Sequence, residues 1–342
     1  MYQRLRPAIF RLAPEQAHRA TVALLRFAGA LPPAGMLVRG LFGPAREGPA
    51  VQAFGLSFPN PVGLAAGYDK DGLAWRGLAE LGFGHIEVGT VTPKPQPGNP
   101  EPRIFRLVDD RAVINRMGFP SRGSAYLAGR LHAPRPHGLI LGVNIGKNKA
   151  TALEEAVSDY LSLMRVFAAL ADYLAINVSS PNTPGLRTLQ SRRALEGLLA
   201  PLATERHLQV QRLGRPLPLL VKLAPDLAID DLDDALDVIL STGMDGVIVS
   251  NTTLRRENLR SLHAGETGGL SGAPLKKINT ELVRAVTART AGKLPIVASG
   301  GIAGPKDVRE KLDAGAVLVQ LYTGLIYEGP GLVRKVLAQG FV

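Results

Sequence analysis

The sequence predicts an α/β fold in which eight βα units close into a (β/α)8 barrel, the TIM-barrel arrangement. From about residue 50 onward, short apolar runs alternate with amphipathic runs of helix length. The short runs are apolar throughout, which is typical of parallel strands that are buried on both faces. An open doubly wound sheet would alternate in the same way, but eight units of similar size without a long break favour closure.

Eight predicted strands make up the barrel. They are Val62–Ala66, His85–Thr90, Leu139–Ile145, Leu174–Val178, Leu217–Leu223, Gly246–Ser250, Pro295–Ser299 and Ala316–Tyr322. The runs between them predict the helices Thr151–Ala171, Ile229–Thr242, Lys277–Thr290 and Pro305–Ala314. Ahead of the first strand, Val51–Phe58 is typical of a short hairpin.

A helical segment, residues 1–49, precedes the barrel domain of residues 50–342. Two amphipathic helices, Ala17–Leu31 and Ala34–Phe42, meet at a proline pair, and no apolar run reaches the ~18 residues of a membrane span. The segment holds seven arginines, no lysine and two glutamates, so it carries +5 of the net +11 charge. Such helices can lie in an anionic membrane interface. A cap packed on the barrel and a cleaved presequence are alternatives, although the absence of serine argues against the latter.

Composition excludes several classes of site. The chain has no cysteine, which rules out disulfides, thiolate metal sites and a cysteine nucleophile. Its six histidines are scattered without metal-ligand spacing, so no metal is expected. Basic residues are not interleaved with aromatics in a stripe, so nucleic acid is not an expected partner.

The ends of the predicted strands carry amide, cationic and small residues, and barrel enzymes place their chemistry at these ends. Lys70, Asn144, Asn177 and Lys222 stand there, and the only acid is Asp69, which could equally cap a helix. No acid pair suits glycoside hydrolysis, and no carboxylate cluster suits Mg²⁺. This lining favours a planar, anionic, hydrogen-bonding ligand.

Glycine-rich segments follow the last strands. Gly300-Gly301 and Tyr322–Gly324 stand where barrels commonly hold a phosphate, and Thr267–Gly272 lies on the loop after strand six. After strand four, Asn177–Gly185 is polar and contains two prolines. Alone it is typical of an ordinary turn, but beside the other strand ends it indicates a loop that presents side chains.

Four motifs resemble the dihydroorotate dehydrogenase family, and the resemblance covers essentially the whole chain. They are Asn60–Lys70, Asn115–Phe119, Asn177–Gly185 and Ser250–Thr253. The amino-terminal helices, and Ser180 in place of a catalytic cysteine, indicate the quinone-dependent, membrane-associated class. Ser250 and Thr323 depart from the threonine and serine expected in this family, and both substitutions keep a hydroxyl. Ser299 stands where the family often has an aliphatic residue, and Tyr68 stands at a variable position.

The resemblance implies oxidation of (S)-dihydroorotate to orotate in de novo pyrimidine biosynthesis, with bound FMN and a quinone, ubiquinone or menaquinone, as acceptor. It implies FMN contacts from Ala66, Gly67, Lys70, Thr90, Asn144, Asn177, Lys222, Ser250, Gly272, Gly301, Tyr322 and Thr323. It implies substrate contacts from Lys70, Asn115, Arg116, Met117, Gly118, Phe119, Asn177, Asn182, Asn251 and Thr252.

The same resemblance implies a role for individual groups. Ser180 is the base that takes the C5 proton while hydride passes from C6 to N5 of FMN, with Lys70 beside it and Thr183 plus a water as the proton relay. His18 and Arg106 lie near the quinone head group, although His18 could equally be a surface histidine. The protein is then peripheral, on the cytoplasmic side of the cell inner membrane.

Three other functions are alternatives. The soluble class of the same enzyme, reoxidised by fumarate or NAD, uses a cysteine base, as does a flavin-dependent tRNA dihydrouridine synthase; this chain has no cysteine. A membrane-surface binding protein on a barrel scaffold is the non-enzyme alternative. Bound FMN in the purified protein separates that alternative from the enzymes.

Overall fold

A closed barrel of eight parallel strands forms the centre of the molecule, in a computed structural model that describes residues 2–45 and 48–340. Each strand pairs with its neighbours in chain order, and the last pairs with the first. All eight predicted strands are confirmed. Their bounds are Val62–Leu64, His85–Val91, Ile140–Ile145, Tyr173–Asn177, Leu219–Leu223, Gly246–Val249, Ile296–Ser299 and Leu318–Leu321.

Helices surround the barrel, because each crossover between parallel strands must cover an apolar face of the sheet. The predicted helices are confirmed, but the first is shorter than 151–171 because Thr151 joins a turn through its bond to Asp159. The helices are Trp75–Ala79, Ser124–Leu131, Ala156–Phe167, Arg192–Leu213, Ile229–Ser241, Leu275–Arg289, Pro305–Asp313, Thr323–Glu328 and Leu332–Leu337. Short 3₁₀ helices span Leu186–Gln190 and Leu262–Gly265.

The predicted hairpin is also present, as antiparallel strands Val51–Ala53 and Leu56–Phe58. Its turn places Phe54 and Gly55 at positive φ, 54° and 72°. Phe58 is fully buried in a cluster with side chains from the beginnings of barrel strands. The hairpin therefore closes the amino-terminal end of the barrel, opposite the carboxyl ends of its strands.

A second, three-stranded antiparallel sheet was not predicted. Ala112–Asn115 pairs with Ile104–Leu107 on one side and with Gly269–Gly272 on the other. Each strand has four residues, and one partner lies more than 150 residues away, so no local pattern distinguishes it from a loop. The sheet brings Asn115 and Gly272 to the barrel mouth.

The amino-terminal segment contains the two predicted helices, as Pro14–Ala30 and Pro32–Phe42, and a third, Tyr2–Ile9. Tertiary contacts hold the third helix: its Tyr2 hydroxyl donates to the Ile326 carbonyl at 2.6 Å. Among the described residues no single helix is long and apolar enough to cross a membrane. Helices Pro14–Ala30 and Pro32–Phe42 reach the required length and apolarity only when taken together, and a 117° bend separates them.

One face of these helices packs on the barrel domain. Val22 and Leu25 belong to the main hydrophobic core, and the Leu25 carbonyl lies so close to Gly77 that a Cβ there would stand 1.9 Å away. The opposite face exposes Leu24, Phe27, Met36, Leu37 and Leu41. The segment is thus packed as a cap and still presents an apolar surface. A domain boundary at residue 49 stays a prediction.

Candidate active site

A cavity opens at the carboxyl ends of the barrel strands and encloses about 1140 Å³ of space, including its open mouth. Lys70 and Ser180, on the loops after strands one and four, line it together with Asn177 at the end of strand four and Lys222 near the end of strand five. Asp69 instead accepts the backbone N–H groups of Leu73 and Ala74, both at 2.7 Å, in the turn that leads into helix Trp75–Ala79. The strand ends therefore converge on one polar pocket, as the barrel rule predicts.

Nearly all residues predicted to contact cofactor or substrate line this cavity; the exceptions are Asn144 and Arg116. Asn144 is fully buried and does not reach the cavity, but it accepts a hydrogen bond from Thr90 Oγ1 at 2.5 Å. Arg116 donates to Glu266 at 2.6 Å and stacks 4.5 Å from the ring centre of Phe105. The individual roles of these residues stay predictions.

An amide network fixes the side chains in the cavity wall. Asn177 Nδ2 donates to Thr90 Oγ1 at 2.9 Å and to Asn144 Oδ1 at 3.1 Å. Asn251 Nδ2 donates to Ser179 Oγ at 3.0 Å. Because each amide is held by neighbours from other strands or loops, the positions of Asn177 and Asn251 in the cavity wall are fixed.

Ser180 sits on the loop after strand four, buried and lining the cavity. Its Oγ accepts from the Asn182 backbone N–H at 3.3 Å, and Asn182 Nδ2 donates to Asn115 Oδ1 at 3.2 Å. The second sheet thus anchors this loop. Thr183 does not line the cavity, and its buried Oγ1 finds no hydrogen-bond partner among the described residues. Its predicted relay role remains a prediction.

Lys70 lies between this cavity and a second one, and it lines both. Its Nζ donates to the Gly67 carbonyl at 2.7 Å. Burial lowers the pKa of Lys70 to about 8, and the nearby carboxylate of Asp71 opposes that shift. The ammonium is therefore mostly charged at neutral pH and loses its proton as the pH rises through about 8.

The second cavity lies between helix Pro14–Ala30 and the barrel, and its lining includes His18, Phe27 and Tyr68. The His18 and Tyr68 rings meet edge to face at 5.2 Å, and Tyr68 meets Tyr322 of the first cavity at 5.7 Å. Burial lowers the pKa of His18 to about 4, so its imidazole is neutral at pH 7. A continuous row of aromatic rings thus joins the two cavities.

Arg106, predicted with His18 at a quinone head group, is placed elsewhere. It donates to the carbonyls of Phe10 and Leu12 at 3.1 and 2.9 Å, and it stacks 4.7 Å from the Phe10 ring centre. The structure therefore does not bring Arg106 to the second cavity beside His18. Its quinone role stays a prediction.

Two charged residues at the site were missed from the sequence. Glu87 is wholly buried in strand two, directly below the cavity, and Arg187 joins the loops that follow strands four, five and six. A glutamate within a buried parallel strand is itself a signal, because a charge is rarely tolerated there without partners. Arg187 offers no comparable signal, since arginines are common on loops.

A closed parallel barrel with a buried mouth of lysines, asparagines and small residues has the architecture of a barrel enzyme. Residues 50–339 match the family described as dihydroorotate dehydrogenase. The chain belongs to the dihydroorotate dehydrogenase family.

Named relatives extend the match to nearly the full length. The dihydroorotate dehydrogenase (quinone) of Azotobacter vinelandii is 49% identical over 339 residues, which cover 98% of this chain and 95% of that protein. The protein of the same name from Pseudomonas fluorescens strain Pf0-1 is 48% identical, covering 98% and 97%. A crystal structure of DHODH from Eimeria tenella in complex with ferulenol has a TM-score of 0.87 and 42% identity, covering 95% of this chain and 90% of that one.

Proposed function

We propose that the protein oxidises dihydroorotate to orotate for pyrimidine biosynthesis, using bound FMN and passing the electrons to a membrane quinone. The main support for the proposal is that Lys70, Asn177, Ser180 and Lys222 line one cavity in a member of this family. The names of the relatives support the quinone as acceptor. The absence of cysteine from the sequence argues against the soluble class.

The residues present suit FMN. A Cβ built on Gly67 would lie 3.4 Å from Tyr322 and 3.6 Å from Lys70 Nζ, so glycine keeps this part of the cavity open. Gln320 lines the cavity, and its buried Oε1 has no hydrogen-bond partner within the part of the chain described. A ligand with an N–H group, such as the flavin ring, would satisfy that oxygen.

Individual residues can be assigned to the cofactor. Lys222, Asn177, Thr90 and Ser250 would hold the ring system. The segments Gly300–Ala303 and Tyr322–Gly324, which both line the cavity, would hold the phosphate on backbone N–H groups. When bound, FMN supplies the acceptor for the hydride.

The protein's own chemistry on the substrate is proton removal and charge stabilisation. Ser180 Oγ takes the C5 proton, and Lys70 and the amides of Asn115 and Asn251 bind the carboxylate and ring carbonyls. A serine hydroxyl is a weak base, so it needs an outlet for its own proton. The unpartnered hydroxyl of Thr183, three residues further on, supports a relay there through a water.

The amino-terminal helices give access to a quinone dissolved in lipid. The second cavity, with its row of His18, Tyr68 and Tyr322, lies under these helices and reaches the wall of the first. The exposed apolar face and the +5 charge of residues 1–49 support peripheral binding to an anionic membrane. We place the protein on the cytoplasmic side of the inner membrane.

Anaerobic mixing tests the proposal. The purified protein is expected to be yellow, to bleach on addition of dihydroorotate as orotate forms, and to recover its colour on addition of a quinone. Protein without flavin, or flavin that dihydroorotate does not bleach, would overturn the proposed activity. If the yellow colour returned with fumarate or NAD but not with a quinone, the proposed acceptor would be wrong while the proposed oxidation of dihydroorotate would stand.

A further inference from the structure

Four side chains from four other barrel strands converge on the buried carboxylate of Glu87. Oε1 accepts from Asn144 Nδ2 at 2.8 Å and lies 3.7 Å from Lys222 Nζ. Oε2 accepts from Gln320 Nε2 at 2.9 Å and from the Tyr173 hydroxyl at 3.1 Å. Glu87 therefore accepts hydrogen bonds from strands three, four and eight and forms an ion pair with the lysine of strand five.

The chemistry of this cluster indicates an ionised carboxylate. A carboxylate held away from water is costly unless it is paired and hydrogen-bonded, and here all its neighbours are donors. Burial, and then the adjacent negative charge of Glu87, raise the pKa of Tyr173 well above its usual value, so this phenol stays a neutral donor. Lys222 supplies the compensating positive charge.

Three of the four partners connect Glu87 to the cavity, and Tyr173 does not line it. Lys222 and Gln320 line it directly. Asn144 accepts from Thr90 and Asn177, which also line it. Glu87 itself does not reach the cavity, so it touches neither cofactor nor substrate and can act only through these partners.

We propose that Glu87 is a positioning residue that holds Lys222 and Gln320 against the cofactor and offsets the charge of Lys222, so that it lowers the reduction potential of bound FMN. The inference rests on the proposed function, because it requires FMN in the cavity. A cation next to the ring stabilises the electron-rich reduced flavin, and a carboxylate behind that cation weakens the effect. Removing the negative charge therefore favours reduction.

The substitution Glu87→Gln removes the charge and keeps the shape. The added N–H₂ group needs an acceptor, and the Tyr173 hydroxyl, 3.1 Å from Oε2, can accept as well as donate. The measurement is the midpoint potential by equilibration with a reference dye, together with flavin content. We expect E87Q to retain FMN with a more positive potential than the wild type.

Glu205→Gln is the matched control, because Glu205 is also a buried carboxylate with a cationic partner, Arg165 at 2.8 Å, but lies on an outer helix. It should leave the potential unchanged. Retained FMN with the wild-type potential in E87Q would overturn the inference, as would an equal shift in E205Q. A colourless wild-type protein would instead refute the proposed function.

Glu87→Asp decides the case in which E87Q fails to fold or to keep FMN. Aspartate retains the charge but is too short to reach all four donors. We expect E87D to bind FMN several-fold more weakly than the wild type does. Where E87Q retains FMN, the potential of E87D should lie closer to that of the wild type than the potential of E87Q does. Wild-type FMN affinity in E87D would refute the positioning role.

Discussion

Arg187 and Asp226 form a salt bridge, 2.9 Å from Nη1 to Oδ2, that ties the loop after barrel strand four to the loop after strand five. The same guanidinium donates from Nε to the Ser179 carbonyl at 3.0 Å and from Nη2 to the Thr252 carbonyl at 2.8 Å. One planar fork thus holds three loops, and two of them carry Ser180 and Thr252 at the cavity.

We predict that Arg187→Ala retains FMN but reduces it with dihydroorotate on the order of 10² times more slowly, since a shift of about 1 Å in a catalytic loop has that effect. Arg187→Lys should be intermediate, because an ammonium cannot reproduce the planar fork. Stopped-flow bleaching of the flavin measures the rate.

The matched control is Arg192→Ala, which removes an exposed arginine paired with Asp234 at 2.6 Å. An exposed ion pair contributes little to stability, and this one lies outside the cavity lining. Equal rates for R187A and R192A would mean that the Arg187 contacts do not position the loop.

Ser180→Ala should keep the flavin and slow its reduction by a factor of roughly 10² to 10⁴, the usual contribution of a general base. The loss follows because Ser180 Oγ is the hydroxyl that we assign to the C5 proton. Ser191→Ala, which removes an exposed hydroxyl bonded to the Thr188 carbonyl at 2.9 Å, is the control. Full-speed bleaching in S180A would refute the assignment.

The barrel and most of its mouth could be predicted because both depend on local pattern. An apolar run reveals a buried strand, and the barrel rule then collects the strand ends wherever they lie along the chain. Lys70, Asn177, Ser180 and Lys222 were found in this way. Their meeting on one cavity needed no knowledge of individual side-chain contacts.

The contacts that hold the site could not be predicted, because their partners are distant in sequence. Arg187 bonds to residues 8, 39 and 65 positions away. Glu87 bonds to Asn144, 57 positions away, and to Gln320, 233 away. Arg116 belongs to a motif at the mouth, yet its side chain turns to Glu266, which only the second sheet brings near.

Substrate affinity should fall as the pH rises through about 8, because burial lowers the pKa of Lys70 to about 8 and its ammonium would bind the substrate carboxylate. The unfolded chain binds this proton more strongly, so the same group makes the fold more stable as the pH rises from about 8 toward 10.5. The two effects have opposite signs. Substrate dissociation constants and melting temperatures, measured from pH 6 to 10, separate them.

Lys70→Met should bind dihydroorotate weakly at every pH, without the inflection near 8. Lys277→Met is the control, since Lys277 is an exposed lysine in an i,i+4 pair with Glu281. It should preserve both the affinity and the inflection. An unchanged inflection in K70M would assign the titration to another group.

Membrane binding should depend on the exposed apolar face of the amino-terminal helices, where Met36 and Leu37 are 72% and 63% exposed. Deleting residues 1–49 would be a poor test, because Val22 and Leu25 pack in the main core and their loss would uncover the barrel. The double substitution Met36→Glu with Leu37→Glu leaves that contact intact. Each apolar side chain buried in lipid contributes about 2 kcal/mol, so vesicle binding should weaken on the order of 10²- to 10³-fold.

The measurements are co-sedimentation with anionic vesicles and turnover with two quinones, one short-chain and water-soluble, one long-chain and dissolved in the vesicles. We expect the double variant to turn over the soluble quinone normally and to lose most turnover of the long-chain one, because only the latter requires contact with lipid. Leu262→Glu is the control, since Leu262 is fully exposed, at 102%, on the loop after strand six. Unchanged vesicle binding in the double variant, or an equal loss in L262E, would show that the helices do not carry the protein to the membrane.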